Sequence, residues 1–125
     1  MAVKILVVDD QPGIRDLLLT FFELEGFEVS TVAGGRQAIE RVEQEPPDLV
    51  IMDIKMPGMT GLDALREIRK NNSRLAVIMM TACGSEKEFE VMRELRVGRF
   101  IAKPFDLMVL KAAVTELLCL SVKAG

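Results

Sequence analysis

Polar side chains stand at the ends of four short apolar segments in this sequence. They are Asp9, Asp10, Asp53, Thr81 and Lys103. Each has an ordinary explanation when taken alone, because Asp and Thr commonly form turns or helix caps and a Lys before Pro is usually solvated. Together they supply three carboxylates, a hydroxyl and an ammonium group, with no Cys or His among them.

Such a group suits a metal ion and an anion at once. Three crowded carboxylates repel one another, and a cation offsets that repulsion. Oxygen ligands favour a hard ion, Mg²⁺ or Mn²⁺, whose other coordination positions are filled by water or phosphate oxygens. The hydroxyl and the ammonium would hold a phosphoryl group. The residue types therefore predict a metal-assisted phosphoryl site in which one carboxylate can act as the nucleophile.

The chain contains no histidine. This excludes a Ser-His-Asp triad, a His-ligated zinc and a phosphohistidine carried by the chain itself. Nucleophilic or acid–base chemistry must therefore use carboxylates, lysines, hydroxyls or thiols.

Alternating strands and helices would bring the polar side chains together. Apolar segments predict strands at 3–8, 27–32, 49–52, 76–80 and 100–102, and helices are predicted at about 12–25, 36–45, 60–71, 85–95 and 106–120. This alternation is typical of a parallel sheet with right-handed crossovers and helices on both faces, an α/β fold. The strand at 49–52 is apolar throughout, which indicates burial on both faces. All strands then end at one edge of the sheet, where open α/β sheets bind ligands.

The helical segments carry signals for their ends and for their buried sides. Gly26 predicts a stop, and Thr60 and Ser85 each begin a capping sequence with an acidic residue three positions later. The apolar residues at helical spacing are, helix by helix, Ile14, Leu17, Leu18, Phe21, Phe22 and Leu24; Ala38, Ile39 and Val42; Leu62, Leu65 and Ile68; Phe89, Met92 and Leu95; and Leu110, Val114, Leu117 and Leu118.

Length and charge limit the classes of protein. The 125 residues predict one domain, residues 1–125, with no output domain after the last helix. A net charge of −3 and a pI near 5.1 argue against a nucleic-acid binder, and no apolar run is long enough for a membrane helix. Cys83 and Cys119 match no metal or redox spacing and indicate free thiols in a reducing, cytoplasmic location.

Four segments carry a resemblance to a known family: ILVVDD at 5–10, LVIMDIKMPG at 49–58, MTA at 80–82 and AKPF at 102–105. In order and spacing, over essentially the whole chain, they resemble the receiver domain of two-component response regulators. The resemblance implies a doubly wound, five-stranded sheet of flavodoxin-like order 2-1-3-4-5. It also implies a cis peptide bond between Lys103 and Pro104.

The resemblance implies a Mg²⁺ site, with Mn²⁺ as the alternative ion. Asp10, Asp53 and the backbone carbonyl of Lys55 would hold the ion, and Asp9 would assist through a water molecule. The carboxylate of Asp53 would be the phosphoacceptor.

The resemblance also assigns roles around the phosphoryl group. Thr81 would hydrogen-bond the phosphoryl oxygens and Lys103 would pair with them. Phe100 stands at the position of the family's rotameric aromatic switch, although it has neither a hydroxyl nor an imidazole. Cys83, near Thr81, is interpreted as a small packing residue, with oxidation left open.

The implied partners are a histidine kinase, a histidine phosphotransferase and, as a further candidate, an aspartyl-phosphate phosphatase. No nucleic acid and no membrane are expected. The segments DQPGIR at 10–15 and AKPFD at 102–106 are similar to those of intermediate regulators of sporulation phosphorelays, which pass phosphoryl groups between histidines. Partner helices would dock on the first helix and the loops around Asp53. Phosphorylation-dependent docking without onward transfer is the alternative.

Three other functions fit less well. An aspartate-nucleophile phosphatase would need a second acid beside the nucleophile, where the chain has Lys55, and a substrate-selecting cap. A flavodoxin-type cofactor binder would need a Ser/Thr/Gly-rich first loop, where the chain has Asp9 and Asp10, and aromatic residues larger than Phe. A degenerate receiver used only for docking would not require the complete set of acids, Thr and Lys. One departure from the family, Arg96-Val97 in place of the common Gly-Ala, has no interpretation from sequence.

Overall fold

The computed structural model describes residues 2–124, with side-chain surroundings up to residue 119. Five parallel strands form one sheet in the order β2-β1-β3-β4-β5, which confirms the predicted topology. The elements, in chain order, are β1 (Lys4–Val8), α1 (Pro12–Leu24), β2 (Glu28–Val32), α2 (Gly35–Gln44), β3 (Leu49–Asp53), α3 (Gly61–Arg69), β4 (Ala76–Thr81), α4 (Glu86–Glu94), β5 (Arg99–Ala102) and α5 (Leu107–Ala124).

Two strands run further than their apolar residues indicated. β3 includes Asp53, which pairs with Met80 of β4, and β4 includes Thr81, which pairs with Ala102 of β5. The apolar pattern in the sequence ends at the first polar residue. Backbone hydrogen bonding between strands continues for as long as a neighbouring strand runs alongside. The sheet therefore fixes the backbone of these two candidate site residues.

The sheet separates two hydrophobic layers because successive strand residues point to opposite faces. Leu6 and Val8 face the layer that contains α2, α3 and α4. Ile5 and Val7 face the layer that contains α1 and α5. All five residues of β3 are buried, as predicted for a strand covered on both faces.

The apolar helix positions are mostly buried or half-buried, but three of them are exposed. Leu18 and Phe22 form the buried side of α1, whereas Leu17 and Leu24 are exposed, Leu24 at 83%. Phe89 of α4 is also exposed, while Met92 and Leu95 are buried. The 3.6-residue period places Leu17 and Leu24 away from the row formed by Leu18 and Phe22, and periodicity alone does not show where a helix side meets solvent.

The structure confirms four of the signals that the sequence gives for helix ends, at Pro12, Gly26, Thr60 and Ser85. Pro12 begins α1, and Gly26 follows its end with φ +95°. In α3 the Thr60 hydroxyl accepts from the Asp63 N–H while the Thr60 N–H donates to the Asp63 carboxylate. Ser85 makes the same reciprocal pair with the third residue of α4. The last helix extends to residue 124, beyond the predicted end at about 120.

Candidate functional site

Three carboxylates meet where β1 and β3 end. Asp9 and Asp53 are buried, Asp53 at 5% exposure, and Asp10 is more exposed. Each offers one carboxylate oxygen, and these oxygens lie within 4.8 Å of one another. The parallel pairing of β1 with β3 brings them together, because Val8 is paired with Met52 and the next residues of both strands are acidic.

The side chain of Lys103 lies between two of these carboxylates. Its Nζ donates to Asp9 Oδ2 at 2.7 Å and to Asp53 Oδ2 at 3.1 Å. The Lys103 N–H donates to the Thr81 carbonyl at 2.9 Å, which anchors the residue to the end of β4. The peptide bond between Lys103 and Pro104 is cis, as predicted. The ammonium thus partly neutralises charge that strands β1 and β3 crowd together.

The pKa values of this pair shift in the directions that burial and ion pairing dictate. Burial raises the pKa of Asp53 above its ordinary value, and the nearby charge of Asp9 adds to this, while the Lys103 hydrogen bond opposes it. Burial disfavours the Lys103 ammonium, but hydrogen bonds to Asp9 and Asp53 outweigh that effect and raise the pKa of Lys103. Lys103 is therefore a protonated neighbour of Asp53 at neutral pH.

Backbone groups orient both buried carboxylates. The Lys55 N–H donates to Asp53 Oδ1 at 3.2 Å, and the Gln11 N–H donates to Asp9 Oδ1 at 2.9 Å. Arg15 of α1 holds the Asp9 backbone, since its Nη1 donates to the Asp9 carbonyl at 2.8 Å. Sequence reasoning did not find Gln11 and Arg15 as parts of the site. Their position at the start of the helix after β1 was the available signal.

Thr81 is buried at the end of β4, and its hydroxyl donates to the Cys83 carbonyl at 3.3 Å. The hydroxyl is therefore engaged with its own loop. Cys83 itself is exposed, so its interpretation as a packing residue is wrong.

Phe100 of β5 is half-buried, and its ring meets the ring of Phe89 from α4 edge to face. The ring centroids are 5.0 Å apart at an interplanar angle of 81°. Both rings are apolar, so packing and the edge-to-face geometry hold this contact in place of a hydrogen bond. The contact links β5 to the first turn of α4.

A groove of about 760 Å³ opens beside Lys103, between α1 and the loop before α5. Its lining is largely apolar, and its residues are Gln11, Ile14, Leu17, Ala82, Lys103, Pro104, Phe105, Asp106 and Leu107. The exposed Leu17 of α1 thus belongs to a concave surface that reaches the carboxylate cluster.

Comparisons with known proteins agree with this geometry. A sequence model of the response regulator receiver domain matches residues 5–115. The chain belongs to the response regulator receiver domain family. It is 42% identical over 118 residues to sporulation initiation phosphotransferase F of Bacillus subtilis (strain 168), covering 94% of this chain and 95% of that protein. It is 44% identical over 117 residues to the regulatory protein AtoC of Escherichia coli (strain K12), covering 92% of this chain but 25% of that protein.

Solved receiver structures have the same fold. A CheY-like receiver domain protein from Methanospirillum hungatei JF-1 superposes with a TM-score of 0.97 at 29% identity, with all of both chains covered. The chemotaxis protein CheY4 of Vibrio cholerae superposes with a TM-score of 0.88 at 26% identity, covering 94% of this chain and 99% of that one. Receiver domains are phosphoacceptor modules of two-component signalling.

The donor set of this receiver domain fits Mg²⁺. Receiver domains bind this ion at an acidic cluster, and here the carboxylates of Asp9, Asp10 and Asp53 are grouped. All three offer hard oxygen ligands, and one or two carboxylates with water suffice for octahedral coordination.

No helix within residues 2–124 is both long and apolar enough to cross a membrane.

Proposed function

We propose that this receiver domain accepts a phosphoryl group on Asp53 from a phosphohistidine of a histidine kinase and passes it to a histidine phosphotransferase. The observation that carries the proposal is the Lys103 ammonium, which lies 3.1 Å from Asp53 Oδ2 at the carboxyl edge of the sheet. The ammonium holds the carboxylate in place at this edge, and it can pair instead with a phosphoryl oxygen during transfer.

In the proposed reaction Asp53 attacks phosphorus in line with the bond to the imidazole nitrogen. The phosphorus–nitrogen bond breaks as the carboxylate–phosphorus bond forms, and the imidazole leaves with the electron pair. Lys103 offsets negative charge on the phosphoryl oxygens. The Thr81 hydroxyl gives up its bond to the Cys83 carbonyl and donates to a phosphoryl oxygen instead. Onward transfer reverses these steps with a second histidine.

Asp10, Asp53 and the backbone carbonyl of Lys55 would hold Mg²⁺, and Asp9 would assist through water. The ion, when bound, would supply positive charge that offsets the phosphoryl oxygens. Asp10 is the most exposed of the three acids and therefore the most open to exchange of an ion with solvent. Mn²⁺ suits the same oxygen ligands.

The partner surface proposed here is the groove beside Lys103. Its apolar lining on α1 and on the loop before α5 suits an amphipathic helix of a partner, and its inner end reaches the site. A histidine on such a helix would lie near the inner end of the groove, where Lys103 contacts Asp53. Phe100 would follow Thr81 inward after phosphorylation, and Phe89 would then lose its edge-to-face contact.

Onward transfer is favoured over docking alone by one comparison. The relative that matches this chain over 95% of its own length is named a phosphotransferase. An aspartyl-phosphate phosphatase would act on the same acyl phosphate. A cytoplasmic location belongs to this proposal, since both cysteines are free and exposed.

Phosphotransfer from a ³²P-labelled histidine kinase tests the assignment. Wild-type protein should take up label that hydroxylamine removes, as an acyl phosphate does, and Asp53→Asn should take up none. Asp48→Asn is the matched control, because Asp48 precedes the same strand at its opposite end. Undiminished labelling of Asp53→Asn would contradict the proposal. Addition of an unlabelled histidine phosphotransferase should then move the label, and label that stays on this chain would contradict the relay.

A further inference from the structure

An ion pair connects the loop beside Asp53 to helix α4. Lys55 lies two residues after Asp53, and its Nζ is 3.2 Å from Glu88 Oε2. The backbone of Lys55 is tied at the same time to the site, since its N–H donates to Asp53 Oδ1 at 3.2 Å. One residue therefore contacts the proposed phosphoacceptor with its backbone and α4 with its side chain.

The second oxygen of Glu88 has a different partner. The Ser85 N–H donates to Glu88 Oε1 at 3.0 Å, and the Glu88 N–H donates to the Ser85 hydroxyl at 3.1 Å. The Ser85 backbone N–H and the Lys55 ammonium together hold the pKa of Glu88 below its usual range, so the carboxylate is ionised at neutral pH. A single carboxylate thus closes the cap of α4 and binds the Asp53 loop.

The residue after Glu88 reaches the other side of the same helical turn. Phe89 packs edge to face on Phe100 of β5 with ring centroids 5.0 Å apart. Gly84 leaves room for this ring, because a Cβ there would lie 2.8 Å from the tip of Phe89. The first turn of α4 therefore touches the Asp53 loop through Glu88 and the fifth strand through Phe89.

We infer that Glu88 is a positioning residue of the Asp53 site: its carboxylate sets the position of the Lys55 backbone and of the first turn of α4 together. This connects the site to α4 through side chains and not only through the loop that follows Thr81. The inference deepens the proposed phosphoacceptor function. Its test needs neither metal nor phosphodonor. The inference on Glu88 and the proposed phosphoacceptor function can therefore fail independently of each other.

The ion pair between Lys55 and Glu88 is weak enough to be broken when a partner binds. The Lys55 side chain is 62% exposed and the Glu88 side chain 20%, and ion pairs at such positions are screened by solvent. Its loss should therefore change local opening of the Lys55 backbone by about 2- to 5-fold, not abolish folding.

Amide hydrogen exchange measured by NMR on the full chain tests the inference. Glu88→Gln keeps an oxygen for the Ser85 N–H but removes the charge that holds Lys55. We expect the Lys55 amide to exchange about 2- to 5-fold faster in this variant. Ser85→Ala is the matched control for α4 itself. It should accelerate exchange at the Glu88 amide, which loses its acceptor, and leave the Lys55 amide at the wild-type rate.

Two further measurements separate the ion pair from general effects. Lys70→Met removes the exposed pair of Lys70 with Glu67 on α3 and should leave the Lys55 amide unchanged. About 1 M NaCl, where the Debye length is about 3 Å, should accelerate exchange of the Lys55 amide more in wild type than in Glu88→Gln. An unchanged Lys55 amide in Glu88→Gln, or equal acceleration by Ser85→Ala, would overturn the inference.

Discussion

The backbone of α3 comes so close to Asp53 that the first helical position has no room for a side chain. A Cβ on Gly61 would lie 2.2 Å from the Asp53 carbonyl oxygen. The Gly61 N–H donates to the Ile54 carbonyl at 2.9 Å, which holds the two segments in this contact. The placement of the proposed phosphoacceptor therefore depends on a residue that carries no chemistry of its own.

Gly61→Ala should lower the free energy of unfolding by about 3 kcal/mol, because backbone must move to relieve the clash. Urea denaturation measures the change. Gly13→Ala is the matched control in α1, since a Cβ there meets nothing within 4 Å. It should instead raise stability by up to about 1 kcal/mol, because Ala favours a helix over Gly. Equal midpoints for the two variants would show that the contact with Asp53 is not tight.

The sequence alone predicts most of the side chains that form the site. Asp9, Asp53 and Lys103 come together because parallel strands end at one edge, and alternation of strands with helices is visible in the sequence. The direction of the Thr81 hydroxyl and the exposure of Cys83 were not predictable, because a loop conformation sets both. The metal-ligand and phosphoacceptor roles remain predictions.

At the scale of the elements, Arg69 at the end of α3 connects this helix to two turns. It is buried, and its guanidinium donates only to backbone carbonyls among the described residues. Nε donates to Leu95 at 2.8 Å, Nη2 to Arg96 at 3.1 Å, and Nη1 to Asn72 at 3.0 Å and Leu75 at 2.7 Å. Burial, and then the charge of Arg96, lower the pKa of Arg69.

The same contact explains how the turn before β5 accommodates its unusual sequence. Arg96 has φ +58°, a left-handed conformation that Gly adopts freely and that costs another residue about 1 kcal/mol. Its carbonyl is held by Arg69, and its own Nη2 donates to the Ser73 carbonyl at 3.2 Å. The departure from the family's Gly-Ala is thus compensated by hydrogen bonds between the two turns.

Arg69→Met should lower the free energy of unfolding by about 3 kcal/mol, because the carbonyls that it serves lose their donor inside the protein. The midpoint of urea unfolding reports the loss. Arg66→Met, at an exposed position of the same helix, should change stability by less than about 0.5 kcal/mol. Similar losses of stability for Arg69→Met and Arg66→Met would mean that the hydrogen bonds of the Arg69 guanidinium do not stabilise the protein.

The sequence predicted the elements better than the contacts between them. Strand and helix positions followed from periodicity, and the strand order followed from the family resemblance. The contacts of Arg69 with Leu95 and of Lys55 with Glu88 join residues far apart in the chain. They depend on how far each helix is displaced along the sheet, which hydrophobic periodicity does not encode.

At the scale of the whole molecule, one edge of the sheet concentrates negative charge. The chain carries a net charge of −3, and three carboxylates stand within 4.8 Å of one another at this edge. Repulsion among them opposes folding, and a bound cation would relieve it. The stability of the entire chain is therefore expected to depend on ions at the proposed site.

Asp10→Asn should raise the free energy of unfolding in EDTA by about 1 kcal/mol, because a repelling charge is removed. Mg²⁺ at about 100 times its dissociation constant should stabilise wild type by about 2.7 kcal/mol and the variant far less. Thermal unfolding with and without Mg²⁺ compares the two effects. Asp16→Asn, at an exposed position of α1, is the control and should keep the wild-type response. If Asp10→Asn is less stable than wild type in EDTA, repulsion among the three carboxylates does not oppose folding.

The division of the core by the sheet bears on how this sequence can diverge. Among the described residues, the buried side chains under α1 and α5 form one cluster and those under α2, α3 and α4 form another, because β1, β3 and β4 lie between the two layers. Paired substitutions that restore packing should therefore occur within a layer, and substitutions in opposite layers should add. The layer under the proposed partner groove can thus change its packing while the layer under α4 is kept.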